Sequence, residues 1–195
     1  MAEIDVPNHE ELEEIRSKSF TRKIALTTAI YAVLLAITSL GGNNAAKEMM
    51  LSQQQASDQW AFYQSKNIRD LIYKTNSMRL EAELFERGAS MKPESRKRYE
   101  MLLSDMRAEQ KRYLEEKETI EKEAKTLEAD RNKYFTKDPY FDYAEVLLQI
   151  SIVLASIAIL AVSRPIYFMS LGSALIGTLL MLDGYFLAFK LPFLH

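Results

Sequence analysis

The chain has 195 residues, no cysteine, and Lys+Arg 25 against Asp+Glu 27 for a net charge of -2. Disulfides, thiolate metal sites, a cysteine nucleophile and acylation at cysteine are excluded, and the interleaving of bases with acids leaves no basic field to recommend nucleic acid. A mean hydropathy of -0.18 looks soluble, but it averages three very apolar stretches with a highly charged middle, and Gly 6 with Pro 5 are too few for a turn-rich sandwich or barrel. The expected fold class is an all-α membrane protein with three transmembrane helices and a long extramembrane antiparallel coiled-coil hairpin between the first and second.

Residues 1–23 form the N-terminal tail. Asn8 to Glu11 has the pattern of a capping box, and Leu12, Ile15, Ser19 and Phe20 fall on one face of the helix that would follow. Arg16, Lys18, Arg22 and Lys23 would favour anionic lipid if this helix lay on the inner membrane surface; an irregular tail is the alternative. The first span is placed at 24–42. Ile24 to Leu40 carries no charge, and seventeen residues at ~1.5 Å each reach ~26 Å, just enough for a hydrocarbon core with interfacial help. A cleaved signal peptide is the weaker reading, because an acid-rich tail precedes the segment and no small-residue cleavage site follows it.

The middle is placed at 43–143; from Asn43 to about Tyr134 it contains two breakers, Gly88 and Pro93, and the turn is placed at 88–93. In the second arm Tyr99, Leu103, Met106, Gln110, Tyr113, Lys117, Ile120, Ala124, Leu127, Arg131 and Tyr134 alternate four and three apart, the period of a left-handed supercoil. The first arm is less regular. Trp60, Leu71, Met78 and Phe85 are assigned to its seam, with Gln53, Gln64, Asn67 and Lys74 interrupting. Spans two and three are placed at 144–163 and 166–191, joined by Ser163-Arg164-Pro165. Arg16, Lys18, Arg22, Lys23 and Arg164 all fall on one side if the N-terminus is cytoplasmic, which puts the helical middle in the periplasm of a bacterium and the protein in its inner membrane.

Small residues line each span, including Ala29, Ala32 and Ala36 in the first and Gly177 and Gly184 in the third. They serve close helix packing, either among the chain's own spans or against a neighbouring subunit. Apart from Glu145 at the very start of the second span, Asp183 is the one acid inside a span. It is assigned either a structural hydrogen bond to a neighbouring helix, with Gln149 as the named candidate, or a place on an ion path. In the first arm Asp58, Gln59, Trp60, Tyr63, Gln64 and Asn67 present aromatic bodies with amide and carboxylate tips. They are read as a helix or oligomer interface, or else as a groove for a periplasmic peptide, glycan or protein. The only histidines, His9 and His195, stand in opposite tails, and phosphate-loop, metalloprotease and paired-cysteine motifs are absent. No catalytic residue, metal or cofactor is expected, and the chain is read as not an enzyme.

The run Gln55 to Tyr73, with Gln55, Ala56, Ser57, Asp58, Gln59, Trp60 and Ala61 followed by Phe62, Tyr63, Gln64, Ser65 and Lys66, resembles a bacterial family of membrane proteins catalogued as domain of unknown function 4337. Phe62 stands where the family more often has Tyr and Ser65 where Ala is common, so a hydroxyl at 62 is not required. The resemblance implies the topology and no mechanism. The leading expectation is a structural or scaffold protein, homo-oligomeric through its hairpin and small-residue faces. Its partners would be membrane lipid, further copies of itself and a further membrane or periplasmic protein. The alternative is a channel or transporter subunit with a polar path at Asp183 and Gln149. An analogue of chain-length regulators or efflux adaptors shares the layout, but no β-rich segment is present and the third span is extra.

Overall fold

The computed structural model describes residues 9–189, with side chains from Arg16 onward. Within that range 94% of residues are helical and none is in a strand. The chain forms α1 (His9–Arg87), α2 (Pro93–Leu160) and α3 (Arg164–Phe186), each containing a stretch long and apolar enough to cross a membrane. The turn lies where Gly88 and Pro93 place it. The Gly88 N–H donates to Leu84 O at 2.9 Å, and a Cβ there would stand 2.3 Å from that carbonyl, so glycine closes α1. Proline, lacking an N–H, opens α2. The contacts divide into two units, residues 49–132 and residues 1–48 with 133–195.

In the unit 49–132, α1 and α2 pair antiparallel: Gln53 bonds Arg131, Trp60 bonds Glu128, Lys66 bonds Glu116 and Glu81 bonds Arg107. The α2 positions from Tyr99 to Arg131 that repeat four and three apart are all buried or half-buried. On α1 the inward residues are Ser52, Ala56, Gln59, Tyr63, Lys66, Asp70, Tyr73, Ser77, Leu80 and Leu84, again four and three apart. The expected α1 seam therefore has the right period and a phase one residue out: Leu71 and Met78 are each 61% exposed and Phe85 92%. The physical reason is that α2 already supplies bulk, through Tyr113 and Ile120. Its partner brings small residues and paired charges to that face beside its tyrosines and leucines, and the large apolar side chains of the expected seam lie one residue away.

In the other unit, α3 lies against α2 through small residues, with Gly177 among those expected of it. Ser170 Oγ donates to Ser151 O at 2.7 Å and Ser173 Oγ to Leu147 O at 2.9 Å. A Cβ on Gly177 would meet Ala144 O, Leu147 Cβ and Leu148 Cγ, each at 3.2 Å. Where there is little hydrophobic drive between helices, such close approach is how they hold together. From α1 the inward side chains are Ile24, Tyr31, Thr38 and Ala45, whereas Ala29, Ala32 and Ala36 are exposed. The small-residue stripe of α1 thus faces away from the chain's own α2 and α3. Val162 closes α2 in a left-handed conformation, φ 47, with Ser163 N–H donating to Ala158 O at 3.2 Å. That position favours glycine, and a β-branched residue is strained there. α3 stops at Phe186, ahead of the expected limit of 191, because Leu187 is left-handed, φ 50, and its N–H turns back to Asp183 O at 2.6 Å.

Gly177 and Gly172 give a clean comparison, since a Cβ at Gly172 would meet nothing within 4 Å. Gly177→Leu should lower the thermal midpoint of the detergent-extracted protein by several degrees, as overpacking of about 1–3 kcal/mol implies. Gly172→Leu should leave it unchanged or slightly raised. Equal midpoints for the two variants would show that the α2–α3 contact is not tight.

Candidate functional site

Trp60 sits at the edge of the inward face of α1. Its Nε1–H donates to Glu128 Oε1 at 2.8 Å, and its ring meets Tyr63 edge-on with centroids 5.5 Å apart. The Lys117 ammonium lies 5.8 Å from the Tyr63 ring centroid and donates to Asn67 Oδ1 at 2.9 Å and Asp70 Oδ2 at 3.0 Å. The side chains of Lys117 and Asp70 are each 13% exposed. A charge pair so shielded favours one register, because removing one partner leaves the other without its counter-charge. Toward the helix surface, Lys66 bonds Glu116 at 2.5 Å and stands 5.1 Å from the Phe62 ring and 5.3 Å from Tyr113. Gln59, Phe62, Lys66 and Glu116 border an open groove of about 420 Å³.

Of the six expected interface residues, Trp60, Tyr63 and Asn67 contact α2 of their own chain, and Gln59 lines the groove. Asp58 accepts from Gln54 Nε2 at 3.1 Å on the exposed face, and Gln64 is exposed. Sequence reading did not identify Glu128 as the partner of Trp60, nor the ion pairs Lys66–Glu116 and Lys117–Asp70 beside the cluster. The available signal was Lys117, a cation at an inward position of a strict repeat, which demands an acid across from it.

The unit formed by residues 1–48 and 133–195 places the intramembrane polar candidates apart. Asp183, 9% exposed, accepts the Phe189 N–H on Oδ1 at 2.9 Å. Gln149 is exposed and donates to Glu145 Oε1 at 3.2 Å. The expected Asp183–Gln149 bond is therefore replaced by two separate ones. Around the end of α3, Lys137 Nζ donates to Tyr185 O at 3.0 Å, Tyr140 OH to Phe189 O at 3.0 Å and Tyr185 OH to Ile37 O at 3.2 Å. Gly184 and Gly41 both pack on the Phe141 ring; a Cβ on Gly41 would be 2.6 Å from it. At the opposite end of the bundle, Arg16, Phe20, Val162 and Arg164 border one pocket of about 280 Å³, and the rings of Phe20 and Tyr167 meet edge-on at 5.8 Å. Asn8, Lys190 and His195 lie outside the described residues, as do the side chains of His9, Leu12 and Ile15. Among the described residues no group of three or more His, Asp or Glu is placed to hold a metal ion.

An all-helical chain with three helices long and apolar enough to span a membrane is the class these observations define. The chain belongs to the family described as "Domain of unknown function (DUF4337)", which matches residues 20–187. No curated protein and no solved structure matches it.

The hydrogen bond from Lys66 holds the Glu116 carboxyl below its ordinary value, against a smaller upward pull from burial. A carboxylate depressed in the folded state stabilises it above the unfolded value of about 4.3 and loses that contribution as pH falls through the folded value. Acidification from pH 6 to below 4 should therefore lower the thermal midpoint of the wild type more than that of Glu116→Gln. Parallel declines would show that the Lys66–Glu116 bond carries no stability.

Proposed function

We propose that the protein is a structural scaffold of a bacterial inner membrane, with its N-terminus cytoplasmic, three spans, and residues 49–132 folded as a periplasmic coiled-coil hairpin through which copies assemble. It performs no catalysis and uses no cofactor. Its partners are membrane lipid, further copies of the chain and a membrane or periplasmic protein, and nucleic acid is not among them. The observation that carries this reading is the allocation of side chains on α1. The face turned to α2 includes the small and charged residues Ser52, Ala56, Lys66, Asp70 and Ser77 beside Tyr63, Tyr73, Leu80 and Leu84, while the large apolar Ile68, Leu71, Met78 and Phe85 are left exposed among charged neighbours. An exposed apolar face of that extent marks a contact surface.

Two features support the rest. Ala29, Ala32 and Ala36 face away from the chain's own helices, the arrangement a subunit contact in lipid needs. Arg16 and Arg164 border one pocket, which gathers basic residues at a single end of the bundle in keeping with a cytoplasmic N-terminus. Asp183 favours the scaffold over ion passage, because its carboxylate receives a backbone N–H and Gln149 is engaged elsewhere.

Native mass measurement of the detergent-extracted protein should show a defined homo-oligomer; monomers alone would sink the assembly reading. For orientation, a reporter inserted at Gly88 should be active only in the periplasm and one fused to the N-terminus only in the cytoplasm, and the reverse pattern would overturn it.

A further inference from the structure

On the outward face of α1, Ile68, Leu71, Thr75, Met78, Ala82 and Phe85 follow one another three, four, three, four and three residues apart, and every one is exposed. This is a second stripe with the same 3.5-residue period as the inward seam, so it keeps to one side of α1 for its whole ~27 Å. Outer faces of paired helices are ordinarily polar. Lipid does not suit this one, since Lys74, Arg79, Glu81 and Glu86 stand along its two edges. Resting on the assembly reading above, we propose that this stripe docks against the same stripe of a second copy, with the two α1 helices antiparallel.

The flanking charges select both the occupant and its direction. In an antiparallel pair with its two-fold axis between Thr75 and Met78, Ile68 meets Phe85 of the second copy, Leu71 meets Ala82, and Thr75 meets Met78, so the two central layers set a large residue against a smaller one and the outer layer joins two large apolar ones. Lys74 then stands across from Glu81 of the second copy, and the symmetry makes the pair twice. In a parallel pair at the same layers Lys74 would face Arg79 and Glu81 would face Glu86, a like-charge clash at both steps. Glu81 also accepts from Arg107 of its own chain at 2.7 Å on an exposed edge, which holds the carboxylate beside the stripe.

Because the chain has no cysteine, the arrangement can be read by disulfide trapping in the full-length protein. Leu71→Cys and Ala82→Cys alter exposed positions and carry different epitope tags. Co-expressed and oxidised in membranes, they should cross-link to each other, while each expressed alone should cross-link at least several-fold less, because its own copies are held about 16 Å apart along the axis. Lys74→Glu should weaken the mixed cross-link several-fold, and Lys74→Glu with Glu81→Lys should restore it. Efficient self-cross-linking of either single variant would overturn the antiparallel docking in favour of a parallel one. No cross-link, with the oligomer intact by native mass, would overturn the stripe as the self-contact and leave assembly standing through another surface. Monomers in the unsubstituted protein would remove both readings together.

Discussion

Two long helices can lie side by side only if the residues between them let the axes approach, and on α1 this constraint overrides hydrophobicity. Beside Tyr63, Tyr73, Leu80 and Leu84, the inward positions include Ser52, Ala56, Lys66, Asp70 and Ser77, residues that few scales would choose for a core. They work because α2 answers each demand: Tyr113 and Ile120 fill the space that the small residues leave, and Lys117 and Glu116 neutralise Asp70 and Lys66. Charges enclosed in this way add little net stability, but they penalise every other register. A one-residue slip of α1 would bury Leu71 and Met78 and leave Lys117 without Asp70. The pairing is fixed by what mispairing would strand.

The same separation of close approach from hydrophobicity recurs among the apolar stretches. α3 meets α2 through Ser170, Ser173 and Gly177, with hydroxyls donating across to Ser151 and Leu147 carbonyls. On α1 the alanines face outward and the inward positions are Ile24, Tyr31 and Thr38, so one helix presents bulk where the other two present small residues. A bundle of three needs only some of its faces to be small. The spare alanine stripe is then available to whatever lies outside the chain, and in lipid a small-residue stripe is worth most against another helix.

The architecture was legible because its signals are long and local: uncharged runs for the apolar stretches, Gly88 and Pro93 for the turn, and a strict repeat from Tyr99 to Arg131 for the inward face of α2. The phase of α1 was not, because Ser77 and Met78 differ by one position and sequence alone cannot say which of them meets α2 when both lie on a 3.5-residue repeat. The end of α3 is hard to read from sequence for a different reason. Leu187, Ala188 and Phe189 are as apolar as the residues before them, so composition gives no stop, and the helix ends on a left-handed leucine that no helix propensity anticipates. Of the candidate interface, Trp60, Tyr63 and Asn67 were found as a cluster, but their partners lie some fifty to seventy residues away in α2, a separation across which periodicity carries no information.

Asp183 shows how an acid in an apolar surrounding is engaged by the backbone that follows its own helix. When a helix ends where water is scarce, its last carbonyls and the N–H groups beyond them need partners from the protein itself. Around the end of α3 that requirement is met bond by bond: Leu187 N–H to Asp183 O, Phe189 N–H to Asp183 Oδ1, Lys137 to Tyr185 O, and Tyr140 to Phe189 O. Each polar side chain there is engaged with backbone. A proton or ion path asks the opposite, a succession of side chains whose bonds can be exchanged without unmaking the fold. Neutralising or removing Asp183 would first release the chain after α3. The carboxylate is therefore accounted for by the way this helix ends.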